Sequence, residues 1–149
     1  MSYKLQLIKL IAVISWMSQI FLTSAHTNPA DMLPSFLVSF LWNTTLFGQR
    51  LFFLLGPIGH AVNFAVLALL LAWALSSNQI LSPAKFRLAL IISVLYALSD
   101  EIHQIFVPTR TFQTRDLVVD AMGALLGLLF FQTLALSRQR QAALQSPLL

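Results

Sequence analysis

The sequence predicts an all-α membrane protein: a bundle of four transmembrane helices, with an interfacial or re-entrant segment between the first and the second. Only 9% of the 149 residues are charged and 58% are hydrophobic, with a mean hydropathy of +0.80. A soluble domain carries about 25% charged residues. So few charges cannot cover a water-exposed surface, so the solvent for most of this chain is lipid. At about 20 residues per helical span, the length accommodates four spans and one sizeable loop. The whole of 1–149 reads as a single domain.

The first span covers about 5–24, within LQLIKLIAVISWMSQIFLTSA (5–25). Lys4 precedes it, Lys9 lies inside it, and the small residues TSA close an apolar core running from Leu10 to Leu22. A signal peptide has the same layout. The segment is read as an uncleaved helix, and cleavage would leave the orientation of the later spans unchanged. HTNPADMLPSF (26–36) holds two prolines and Asp31 and suits a loop. SFLVSFLWNTTLFGQR (35–50) is apolar but too short to cross, hence the interfacial or re-entrant expectation.

The second span, about 57–76, opens at GPIGHAVNFAVLALLLAWAL (56–75). Pro57 suits its first turn, where a missing N–H is no loss. SSNQILSPAKFR (76–87) is a polar connector, and the third span occupies about 84–107 until Pro108 stops it. PTRTFQTR (108–115) is a tight loop. The fourth span, about 115–137, runs through DLVVDAMGALLGLLFFQTLAL into the polar SRQRQ.

Charge sets the orientation. Lys4, Lys9, Lys85, Arg87, Arg138 and Arg140 fall on one side, and Arg50, Arg110 and Arg115 on the other. Six against three places both termini in the cytoplasm. The acids Asp31, Asp100, Glu101, Asp116 and Asp120 and the histidines His26, His60 and His103 then all lie toward the extracytoplasmic side. The net charge of +4 is therefore topogenic. The basic residues are scattered, with no basic helix or aromatic-basic repeat, which excludes nucleic acid as a partner. With no cysteine there is no disulfide framework, thiol catalysis or thiolate metal site.

The polar residues of the spans have a helical register. Residues three and four apart share a helix face. Ser93, Tyr96, Asp100 and His103 thus form one stripe, with Glu101 and Gln104 adjacent. Asp116, Asp120, Gly123 and Gly127 share a face of the fourth span, and His60 and Asn63 a face of the second. GALLG (123–127) is a small-xxx-small pattern that lets two helix backbones approach closely. Counted back from Pro108 at 1.5 Å per residue, Asp100 lies about 12 Å along the helix, inside a hydrocarbon half-thickness of about 15 Å. A carboxylate there costs several kcal/mol if it faces lipid, so Asp100 and Glu101 face the bundle interior, a wet cavity or a partner charge. They also sit at the disfavoured, negative end of their helix. Arg110 and Arg115 are near enough in sequence to compensate, while Asp116 suits a helix start.

DEIHQIFVPTR (100–110), RD (115–116), Asp120 and GALLG closely resemble the signature of the VanZ-like family of bacterial membrane proteins, named for a protein associated with teicoplanin resistance. GHAVNFAVLALL (59–70) resembles the family's upstream motif, and SQIFLTS (18–24) loosely resembles the end of its first span. The chain departs from the pattern at GPIG (56–59), where a basic residue often precedes the histidine, at Asn63 and at Asp120. The resemblance implies a small integral plasma-membrane protein linked to envelope or glycopeptide response. It supplies no mechanism.

Three readings of the cluster follow. In the preferred one, Arg110 and Arg115 grip an anionic lipid or lipid-linked envelope-precursor headgroup. Asp100, Glu101 and Asp120 orient them, His60 and His103 donate hydrogen bonds, and Asn63, Gln104 and Asp116 complete the pocket. In the second, the same groups form a structural clasp in a protein that assembles as a homo-oligomer or in a larger membrane complex. In the third, histidines and carboxylates act as a metal- or acid/base-dependent enzyme on lipid-linked phosphates. No metal-ligand spacing, nucleophile motif or cofactor motif is present, so no catalytic residue, metal or cofactor is assigned.

Overall fold

The computed structural model describes residues 3–26, 33–46, 48–76 and 80–145. Asp31 and part of the connector between the second and third spans lie outside them. The fold is all-helical apart from one tiny hairpin: α1 (Tyr3–Ser24), α2 (Ser35–Asn43), β1 (Thr45–Leu46), β2 (Gln49–Arg50), α3 (Leu51–Leu75), α4 (Pro83–Gln104) and α5 (Thr114–Gln145). α1, α3 and α5 are long and apolar enough to cross a membrane. α4 has the same length as α1, 22 residues, but carries Lys85, Arg87, Asp100 and Glu101, too many charges to qualify on composition.

Two helices extend beyond their expected limits. α3 starts at Leu51, so Pro57 lies inside the helix rather than in its first turn. The preceding apolar stretch, LFFLL, continues the helix upstream, and only the bond from residue 57 to the carbonyl of Phe53 is forfeited. α5 continues to Gln145 because SRQRQAALQ is polar but rich in strong helix formers. At 32 residues it is about 48 Å long, so its last turns project past a hydrocarbon core of about 30 Å. α4 ends three residues before its expected limit, at Gln104, in tight turns that lead to Pro108. At its start, Ser82 Oγ caps the Lys85 N–H and Pro83 fills the first position.

Between the first two long helices, α2 has nine residues, about 14 Å, and cannot cross the membrane. It leads into the β1–β2 hairpin, in which Thr45 pairs with Arg50 and Leu46 with Gln49, and Gly48 supplies the positive φ of the turn. Trp42 packs edge-on to Phe52 at 5.2 Å, and the Arg50 guanidinium lies 4.5 Å above the Trp42 ring.

The core is the α3–α5 seam. Phe64, Leu67, Ala68, Leu71 and Ala72 of α3 are buried against Ala124 and Leu128 of α5. Gly123 and Gly127 lie directly on the backbone of Ala61 and Ala65. A Cβ at Gly123 would stand 2.8 Å from Ala61 Cα, and one at Gly127 3.0 Å from Ala65 Cα. Both are well inside the 3.5–4.0 Å optimum for carbon pairs. α1 and α4 flank this seam, tied by the Tyr96 hydroxyl to the Met17 carbonyl and by Trp16 Nε1–H to the Asn63 carbonyl at 2.9 Å. The outward faces are apolar: Ile14, Leu22, Leu95, Leu126 and Phe130 are exposed, as a lipid-facing surface requires.

The two ends of the bundle differ chemically. At one end the buried Lys9 Nζ donates to the carbonyls of Trp73 (2.8 Å) and Ser76 (3.3 Å), capping the C-terminus of α3. Nearby, Gln132 bridges both backbone groups of Leu81. The opposite end gathers the last turn of α1, the early turns of α3 and α5, and the last turn of α4.

Candidate functional site

The acids of this second end are buried. Asp120 and Glu101 are 0% exposed and Asp100 is 4% exposed. The buried face of α4 is Ser93, Ala97, Asp100, Glu101 and Gln104. Tyr96 and His103 lie at its edge, toward α1, where His103 stacks on Phe21 at 4.0 Å.

Each buried acid has a distinct environment. Asp120 faces His60: Nδ1 lies 3.1 Å from Oδ1 and 3.4 Å from Oδ2, while Nε2 is 3.9 Å from Asp116 Oδ2. The imidazole is thus bracketed by two carboxylates of α5. Its place is set by the glycine seam, because Ala61, next to His60, rests on Gly123, one turn from Asp120. Glu101 Oε2 accepts the Gln113 N–H at 2.7 Å. Gln113 directly precedes α5, so this carboxylate sits at the positive end of that helix, which offsets its position at the negative end of α4. Asp100 Oδ2 accepts from Gln104 Nε2 at 3.1 Å, and the same amide donates to Ser24 Oγ at 3.0 Å.

The arginines do not answer the acids. Among the described residues the ion pairs are those of His60 with Asp116 and Asp120. Arg115 is exposed on the first turn of α5, and Arg110 donates to the Ser24 carbonyl at 3.0 Å. The reason is local. Val107 to Arg110 form a turn closed by Arg110 N–H to Val107 O at 3.1 Å, with Pro108 followed by Thr109 at φ 68°. That turn sends Arg110 across to α1, away from the carboxylates of α5. The positive φ is one that L side chains, β-branched ones above all, adopt at a cost.

A cavity of about 120 Å³ opens beside this network. His60, Asn63, Asp100 and Arg110 line it together with Ser24 and Gly59. Of the residues singled out from sequence, these four share one space. Glu101, Gln104, Asp116 and Asp120 form the layer bonded around it, and Arg115 and His103 lie outside. Ser24 and Gln113 were not anticipated. Ser24 had a weak signal, since it continues the buried face of α1 at Val13 and Ile20, whereas the Gln113 contribution is a backbone N–H and leaves no trace in side-chain chemistry.

His60, Glu101 and Asp120 each offer a ligand atom, and these atoms all lie within 4.8 Å of one another. They come from three different helices, which is why no metal-motif spacing is present along the chain. Two carboxylate oxygens, Asp100 Oδ1 and Glu101 Oε1, are buried with no hydrogen-bond partner among the described residues.

The fold and this site define a small helical membrane protein with a dense polar cluster buried at one end of its bundle. The VanZ/LLP1 family profile matches residues 8–135, most of the chain and every residue of the cluster. The protein belongs to the VanZ-like family. No curated protein and no solved structure matches it.

Proposed function

We propose that the protein is a four-span plasma-membrane receptor whose cavity recognises the phosphate-bearing headgroup of an anionic lipid or lipid-linked envelope precursor, at the extracytoplasmic face. One observation carries this reading: Arg110, half-buried, lines the cavity without forming an ion pair with any acid among the described residues. A guanidinium has five N–H donors, and the Ser24 carbonyl engages NH1 alone. The remaining donors suit a bidentate phosphate. Asn63 and His60 add polar groups to the same wall. In this reading α4 spans as well, its charges being confined to its two ends, and both termini are cytoplasmic. The association of the family with glycopeptide response makes lipid-linked wall precursors the first ligands to test.

A second reading has its own support. The hydrogen bonds of Gln104, Glu101 and His60 tie α1, α3, α4 and the start of α5 together, which is what a structural clasp does. Native mass spectrometry separates the two. Wild type retains phosphatidylglycerol at least fivefold better than phosphatidylcholine, and Arg110→Ala loses that preference while staying folded. Equal retention of the two lipids by wild type leaves only the clasp. Topology is tested on the same cysteine-free chain: Phe106→Cys is labelled from outside by an impermeant maleimide and Arg87→Cys is not.

A further inference from the structure

We propose that His60, Glu101 and Asp120 form a binding site for one divalent transition-metal cation of the Zn²⁺ or Mn²⁺ type. The ligand atoms already lie within 4.8 Å of one another and belong to a half-buried imidazole and two fully buried carboxylates. Donors around one ion at about 2.0–2.2 Å stand roughly 3 Å or more apart. The 3.1 Å separation of His60 Nδ1 and Asp120 Oδ1 is therefore as compatible with shared coordination as with a hydrogen bond.

Two independent observations point to a cation. Glu101 Oε1, on one of the three ligand residues, is buried and has no hydrogen-bond partner among the described residues. A buried carboxylate oxygen left unanswered costs free energy, and a cation answers it where no donor does. Secondly, the end of the bundle concentrates Asp100, Glu101, Asp116 and Asp120, yet neither Arg110 nor Arg115 forms an ion pair with any of them. A divalent ion would answer the carboxylates that these arginines leave without a contact partner.

Donor chemistry selects the class of ion. An imidazole nitrogen with two carboxylates favours Zn²⁺, Mn²⁺ or Fe²⁺ over Ca²⁺ and Mg²⁺, which take all-oxygen shells. Of the three ligands, His60 also lines the cavity. An ion held by His60 would give a headgroup phosphate in that cavity a second positive partner besides Arg110. That consequence rests on the receptor reading; the ion site itself does not.

The test uses the full chain in detergent, stripped with chelator and dialysed against Zn²⁺, Mn²⁺ or Mg²⁺ alone. Elemental analysis should find one Zn²⁺ or Mn²⁺ per chain and no retained Mg²⁺, with melting raised by several degrees at saturation. Glu101→Gln and Asp120→Asn keep side-chain shape and should each weaken binding at least tenfold. Substoichiometric metal in wild type, or unchanged binding in both variants, overturns the proposal. Should the variants fail to fold, pulsed EPR of Mn²⁺-loaded wild type decides: coupling to one imidazole nitrogen supports the site, and its absence refutes it. None of these readouts involves lipid, so a failed ion site and a failed headgroup site are distinguished.

Discussion

Replacing Gly123 by alanine tests how packing creates the site. The new Cβ would lie 2.8 Å from Ala61 Cα and 2.9 Å from its carbonyl carbon. These are backbone atoms of a neighbouring helix and cannot swing aside like a side-chain tip. Restoring a carbon–carbon separation of 3.5–4.0 Å requires α3 and α5 to part locally by about 1 Å. Overpacking of this kind costs about 1–3 kcal/mol, or roughly 3–10 °C in melting for a chain of this size. The damage extends to the site, because Ala61 adjoins His60 and Gly123 is one turn from Asp120. A parting of about 1 Å takes the 3.1 Å contact between His60 and Asp120 beyond hydrogen-bond reach. Thermal unfolding in detergent measures the first effect, and the His60 imidazole resonance reports the second. Leu126→Ala is the control, since Leu126 is 62% exposed and faces lipid or detergent. If Gly123→Ala melts within 1 °C of wild type and its His60 resonance is unmoved, the seam does not set the site.

Thr109→Asn should raise melting by about 2–4 °C, because asparagine tolerates the φ of 68° that costs a β-branched residue about 1 kcal/mol; Thr109→Val should give no gain in the same scan. Lys9→Met should destabilise by about 1–2 kcal/mol, since the carbonyls of Trp73 and Ser76 lose their donor. Chemical denaturation of the two proteins in detergent provides the comparison. At Asp120, alanine should cost about 2–3 kcal/mol more than asparagine, which keeps an acceptor for His60; equal losses would show that the contact contributes little.

Much of the fold was legible because lipid imposes simple demands. Apolar runs of twenty residues bounded by Pro108, by Pro83 and by basic residues could be little other than long helices. What escaped was whatever lipid does not dictate. The C-terminal extension of α5 is held by helix propensity after its hydropathy has faded, and the early start of α3 lies upstream of a Gly-Pro pair that reads as a helix entry. The same division holds at the site. Helical register put Asp100, Glu101, Asp116 and Asp120 on inward faces, since no carboxylate can stand in hydrocarbon. Register could not say which helix each acid would meet. Sequence proximity suggested Arg110 as the counter-charge, yet one backbone angle at Thr109 turns it toward Ser24. The partner that Glu101 has instead is the backbone of Gln113. Nor could spacing along the chain reveal that His60, Glu101 and Asp120 converge, because three helices bring them together.

The most direct test of the receptor reading is the melting temperature of wild type and Arg110→Ala in detergent, each with and without extracted native anionic lipids. The account predicts that lipid raises the wild-type value by several degrees, while Arg110→Ala melts near lipid-free wild type and shows no lipid shift. A variant that is simply less stable, with neither protein responding to lipid, would contradict it and leave the cluster as a clasp between helices.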